Sequence, residues 1–409
     1  MSLCDQPGLT PLEQALAHLA ERVSVVAGVE KLTLLHADGR VLSEDIVSPV
    51  DVPPTDNSAM DGFALHGEGS SWNVVGEALA GHPYMGPPLQ PGQCIRIMTG
   101  ASLPKGADRV VMQEYAELQD ATLQVQQIPG SGDNIRRQAG DIRQGSKLLT
   151  AGTRLGPAEL GLLASVGVTH VSVIRRPVAA VFSTGDELAE AGQQLGAGQI
   201  YDSNAIMVVT LLQRMGCEVL NLGRVADDEA ALQQLLAEAD LKADLVVTSG
   251  GVSVGEADYT RRVVEAMGEL ELWRLAIKPG KPFAFGRLQN SWFMGLPGNP
   301  VSALVTLHQL GAEVVRLLSG ASPHERVRLP ATAAEDIVKT PGRLDFQRGV
   351  YWLSADGVQA KALPRQNSQV LSAVAEANCY IVLEQERGSV IAGETIVVEP
   401  FDGSLRGMC

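Results

Sequence analysis

The sequence predicts a multidomain α/β protein, and three observations carry that expectation. Its 409 residues exceed the ~100–200 of an ordinary domain. Between residues 177 and 320 apolar runs alternate with capped helical patterns, as βαβ crossovers on a mostly parallel sheet require. On either side the pattern breaks into short β-rich pieces separated by Gly and Pro clusters. Hydrophobic residues at 45% supply buried cores, while aromatics at only 4% leave the packing to Ala, Val and Leu. Disorder is not expected.

The first element is a helix opened by Thr10-Pro11-Leu12-Glu13, read as a cap, a proline at the first helical position and an acid in the first turn. Leu12, Leu16, Leu19 and Val23 give it one apolar face. Residues 51–145 read as short strands, such as 94–98 and 109–113, and a second helix is expected over 157–166. The flanks therefore form one discontinuous helical domain, 1–46 and 142–176, around a β-rich domain, 47–141. Residues 177–322 carry predicted strands at 178–182, 217–222, 245–248, 283–285 and Trp292–Leu296. Helices at 204–215, 228–239 and after Pro300 complete that α/β domain. Residues 323–409 return to short strands, including 380–383 and 395–398, and predict a small β domain.

A formal charge of −15 repels nucleic-acid phosphates over most of the surface, so no nucleic-acid partner is expected. Five scattered cysteines with no paired spacing suggest a reduced, cytoplasmic protein. The longest uncharged stretch, 288–312, is broken by Pro297-Gly298-Asn299-Pro300, so neither a membrane span nor an export signal is expected. Seven histidines lack His-x-His or His-Glu-x-x-His spacing, which leaves a zinc site without support.

Several loops can carry chemistry. Ser249-Gly250-Gly251 follows a predicted strand and precedes a helix near Asp258, where Gly permits close backbone approach to an anion. It reads either as a phosphate cradle or as a Gly-rich connecting turn. Asp186 and Glu187, Asp227 and Asp228, and Asp258 follow successive strands and could share a hard cation such as Mg2+, although each also suits a helix cap or solvated loop. Lys278-Pro279-Gly280-Lys281 sets two cations in a proline-stiffened loop, either an anion site or a basic turn. Pro297, Pro300 and Ser302 belong to a rigid strand-to-helix turn that positions a ligand or serves structure alone. Residues 56–62, 98–101 and 134–141 place polar side chains beside small ones without defining a role.

Together, residues 56–62, 96–100, 182–187, 249–259, 278–282 and 296–302 resemble, in order, the molybdopterin molybdotransferase family, which includes the bacterial MoeA proteins and the gephyrin E domain. The resemblance covers nearly the whole chain. It implies a Rossmann-like molybdopterin-binding domain, the discontinuous helical linker, the β-rich domain and a C-terminal β-barrel, assembled as a homodimer with composite active sites. The implied reaction uses adenylylated molybdopterin, molybdate and Mg2+, and releases AMP. Glu187, Asp227 and Asp258 would handle metal and pyrophosphate, and Ser249, Gly250 and Gly251 the pterin phosphate. Lys278, Lys281 and Ser302 would hold molybdate, with Arg348 and Ser372 completing that pocket, and Pro297 and Pro300 would also be substrate-binding. Asp61, Thr99 and Asp141 would join the site from the partner subunit, and Arg136 would bind substrate. A molybdopterin adenylyltransferase and molybdoenzyme maturation proteins are implied partners. Two departures stand out: Ala139-Gly140 where relatives carry Gly-Glu, and Asn367 where they carry Gly, with Asn expected to take the left-handed conformation. Competing readings are the preceding adenylyltransferase step and a non-catalytic cofactor carrier or scaffold.

Overall fold

A computed structural model describes residues 8–226, 228–250 and 259–406. It divides into two compact units, one of Lys31–Asp38 and Glu44–Ser172, the other of Met1–Glu30, Gly39–Ser43 and Val173–Cys409.

The smaller unit is built on a six-stranded sheet in the order Arg109–Met112, Gly62–Leu65, Gln93–Ile97, Ser71–Ala78, Thr122–Val125, Ala116–Gln119. Phe63, Leu65 and Cys94 bury one of its faces with Trp72 and Leu123, while Ala64, Ile95 and Ile97 bury the other with Leu89. Burial on both faces explains why these strands read as apolar runs rather than clean alternation. The Pro157–Ser165 helix begins with proline, and Glu159 accepts from the Gly156 N–H at 3.0 Å.

In the larger unit the first helix spans Leu12–Arg22 and buries Leu12, Ala15 and Leu19. Its start corrects the expected cap. Pro11 is the flanking residue and no side chain caps the helix. Thr10 is drawn instead into β-pairing with Leu275, its N–H donating to Arg274 O at 2.8 Å.

The α/β sheet runs Glu218–Val225, Val178–Thr184, Leu245–Ser249, Trp292–Leu296, Pro282–Arg287, Glu269–Arg274. The first four strands are parallel and the last two antiparallel, so the sheet is mixed at one edge. Val181, Val247 and Met294 pack on one face with Leu211, Val301 and Val305. Ala180, Phe182, Val246 and Phe293 pack on the other with Leu232, Leu236 and Val264. Period-2 alternation thus feeds two helical layers, and Ser249 stands at the carboxyl end of its strand.

Residues 300–318 form one long helix with a π-helical turn at Leu307–Gly311. Its length and composition suit a membrane span, but 78% of it is buried inside the protein, as in a core helix. In the last segment Leu344–Ser354, Gly357–Ala362, Leu329–Ala333, Thr395–Pro400 and Cys379–Leu383 close into a five-stranded barrel through the Leu344–Cys379 strand pairing. A sixth strand, Ile277–Lys278, adds to it in parallel along Leu344 and Asp345.

Candidate active site

Parallel register aligns Ser183 with Ser249 and Ser249 with Leu296, so three strand-end loops emerge side by side. They wall a cavity of about 750 Å³ lined by Thr184, Glu187, Ser249, Gly250, Pro297 and Ser302, among others. Gly250 has φ +94°, and a Cβ there would stand 2.9 Å from Thr184 O, so the turn requires glycine twice over. Proline at the first helical position and the buried Ser302 begin the helix on the opposite wall.

Of the acids predicted to share a cation, Glu187 lies on the wall, whereas Asp227 and Asp258 fall outside the described residues, as does Gly251. Asp228 caps the Glu229–Lys242 helix, accepting from Ala231 N at 2.8 Å. Among the described residues no three His, Cys, Asp or Glu side chains converge to hold a metal ion. Glu187, Asp202 and Thr184 line the cavity with oxygen donors, the hard set that Mg2+ takes.

The other predicted anion ligands gather at the barrel. Lys278 precedes a cis proline, and its Nζ stands 3.4 Å from the buried Asp345. Lys281 is exposed, and its neighbour Pro282 lines the cavity. Arg348, two positions past Phe346 on the same strand, is 1% exposed. Its Nη1 donates to Phe346 O at 3.2 Å, while Nε and Nη2 have no partner among the described residues. Burial pulls its basicity down against the favourable charge of Asp345. Ser372 opens a short helix, Ser372–Glu376, and is exposed. Gln366 holds Arg348 in place through its backbone, accepting from Arg348 N at 2.9 Å and donating to Arg348 O at 2.8 Å. The same loop brings Gln369 to the cavity wall and Ser368 O to the Val301 N–H at 3.0 Å. Asn367 is not left-handed, contrary to expectation.

In the smaller unit Asp61 accepts from Thr99 N and Thr99 Oγ1, both at 2.7 Å, and these two bonds hold its carboxyl below the usual range. Arg136 pairs in strand register with Asn57, and Asp56 binds the next two residues, accepting from Arg137 Nη1 at 2.8 Å and Gln138 N at 2.7 Å. The structure thereby joins residues 56–61 to residues 136–138. Asp141 is exposed and held through its backbone, Asp141 N donating to Val52 O at 3.0 Å. Ala139 takes the left-handed conformation at φ +57°.

Sequence reasoning missed Asn204. It is buried at the start of the Ser203–Arg214 helix, bonds to both Ser249 and Gly298, and lines the cavity. Its signal was the Asp202-Ser203-Asn204 helix start placed after the short exposed strand Ile200–Tyr201, which reads as ordinary capping.

Family models match three parts of the chain: "MoeA N-terminal region (domain I and II)" over residues 10–167, "Probable molybdopterin binding domain" over 180–316, and "MoeA C-terminal region (domain IV)" over 330–401. A crystal structure of a molybdopterin biosynthesis MoeA protein from Pyrococcus horikoshii OT3 superposes with a TM-score of 0.84 at 27% identity, covering 96% of this chain and 100% of that one. A molybdopterin molybdenumtransferase of Nostoc sp. is 33% identical across 96% of this chain and 93% of its own. Another, from Haemophilus influenzae, is 45% identical across 96% of this chain and 99% of its own. With the same domains in the same order and near-complete coverage of both chains, this protein belongs to the MoeA family, the molybdopterin molybdenumtransferases.

Proposed function

We propose that this protein transfers molybdenum from molybdate to adenylylated molybdopterin and releases AMP in a Mg2+-dependent step. The family supports the transfer. The observation that carries the oxyanion half is Arg348. A buried guanidinium with two nitrogens unpartnered among the described residues is costly without a ligand and suits a small dianion taken by two charge-assisted bonds. Lys278 and Lys281 add positive charge close in sequence, with Asp345 holding part of it in check.

The strand-end cavity suits the phosphates. Ser249 supplies a hydroxyl, Gly250 lets the substrate approach the backbone, and the Pro297–Pro300 turn keeps the wall rigid. Glu187, with Asp227 and Asp258, would hold Mg2+, whose chemistry when bound is to neutralise charge on the phosphate oxygens. We also propose a homodimer in which Asp61, Thr99, Arg136 and Asp141 complete the site of a second copy.

The test is AMP release from adenylylated molybdopterin, measured with molybdate and Mg2+ each present or withheld. Repeated turnover that needs both supports the reading. Stoichiometric binding without AMP release would replace it with a cofactor carrier.

A further inference from the structure

The Ser203–Arg214 helix meets the cavity at its first turn, where Asp202 accepts from Ala205 N at 2.9 Å and Asn204 turns inward at 8% exposure. The Asn204 amide joins two loops far apart in sequence. Its Nδ2 donates to Ser249 Oγ at 2.7 Å and to Gly298 O at 2.8 Å. A backbone carbonyl only accepts, so Gly298 fixes which end of the amide faces both loops. Flipping the amide would give Oδ1 a bond from Ser249 but set it against Gly298 O. Oδ1 is instead buried without a partner among the described residues.

Ser249 inherits a polarity from this arrangement. A hydroxyl has one proton, and Asn204 already occupies a lone pair of the Ser249 oxygen. The proton is left to donate, and Ser249, 4% exposed, donates to no described residue. The ligand such a hydroxyl recognises is a pure acceptor, as a phosphate oxygen is.

We propose that Asn204 is a positioning residue for phosphate recognition. It holds Ser249 as a one-way donor into the cavity and ties the Ser249–Gly250 loop to the Pro297–Gly298 turn, so that both walls keep one spacing. This rests on the reading of Ser249 as a phosphate contact.

The experiment is calorimetric titration of the full-length protein with adenylylated molybdopterin and Mg2+, molybdate withheld, for wild type, Ser249→Ala, Asn204→Ala, Asn204→Asp and the double Asn204→Ala/Ser249→Ala variant. Ser249→Ala and Asn204→Ala should each weaken binding roughly tenfold, the value of one charge-assisted hydrogen bond. The double variant should match Ser249→Ala within about twofold, because both changes remove the same contact. Asn204→Asp keeps the side chain's size but captures the serine proton, so it should bind more weakly than Asn204→Ala at a matched melting temperature. In turnover, KM should rise while kcat stays within about twofold. Unchanged binding by Ser249→Ala would remove the phosphate reading itself. Weakened binding by Ser249→Ala alone, multiplied losses in the double variant, or Asn204→Asp binding as well as Asn204→Ala would overturn the positioning role and leave the phosphate reading standing.

Discussion

Replacing Arg348 with methionine separates what this side chain does for the fold from what it does for the ligand. Methionine keeps an unbranched apolar stem and removes the guanidinium and its charge. Nη1 has one acceptor, Phe346 O, while Nε and Nη2 have none among the described residues. At about 1–3 kcal/mol for each buried unsatisfied group, the two nitrogens cost about 2–6 kcal/mol, offset in part by the nearby charge of Asp345. Removing the unsatisfied nitrogens recovers part of that cost, so Arg348→Met should melt higher than wild type. Molybdate use should move the other way. Loss of two charge-assisted bonds at about 1.5–3 kcal/mol each raises the molybdate requirement at least ~100-fold. The assay pairs thermal and urea unfolding with a molybdate titration of AMP release. A variant that is destabilised and keeps the wild-type molybdate dependence would refute the reasoning, because Arg348 would then be a structural residue.

Lys281→Ala should raise the molybdate requirement without altering the melting temperature, since Lys281 is exposed, whereas Lys278→Ala should also destabilise by stripping a partner from the buried Asp345; titration and melting together distinguish them. Asp240→Ala should cost about 3 kcal/mol in urea unfolding, because Asp240 receives bonds from Ser291 N and Oγ and from Asn290 N and Nδ2. Burial pushes its carboxyl up, but those bonds more than offset it and hold it below the usual range; the stability it adds is therefore present above about pH 4 and lost as pH falls through the depressed value, where wild type and variant should converge. Ala139→Gly should stabilise by about 0.5–1 kcal/mol, because φ +57° strains an L residue, and a lower urea midpoint would contradict this. Mixed Asp61→Ala and Glu187→Ala chains should regain activity on subunit exchange, one site of each heterodimer being intact; two inactive parents that recover nothing after verified exchange would place both residues in one chain's site.

The α/β segment was legible because its signals are local. Strands such as Trp292–Leu296 are fully buried apolar runs, and the helices expected over 204–215 and 228–239 form as Ser203–Arg214 and Glu229–Lys242. The Glu269–Arg274 strand was missed: Glu269, Glu271 and Arg274 interrupt its pattern, and its place at the sheet edge lets those groups reach water or partners such as Arg22. Thr10 misled for the opposite reason, as a good cap residue recruited by a strand far along the chain. Asn367 misled because the family comparison predicted a backbone conformation that the local turn does not adopt. At the site, glycines and prolines announced the loops, since φ +94° at Gly250 and the Pro300 helix start are backbone requirements written into residue type. Asn204 and the isolation of the Arg348 guanidinium were not legible, because both are defined by what surrounds a side chain in three dimensions.

The pairing of Ile277–Lys278 with Leu344–Asp345 bears on how this polypeptide could be divided. Truncation near residue 322 would remove more than an appendage. It would strip a strand partner from the Lys278 loop, take Gln369 off the cavity wall and unpair the Val301 N–H from Ser368 O. The barrel alone would in turn lose the short strand that covers its Leu344 edge. A break in the backbone between residues 322 and 328, which lie outside every helix and strand, leaves all of those bonds in place. The C-terminal segment is thus tied to the α/β domain covalently and also through shared β-structure, the Val301–Ser368 bond and a common apolar core, and only the noncovalent ties maintain the geometry of the site.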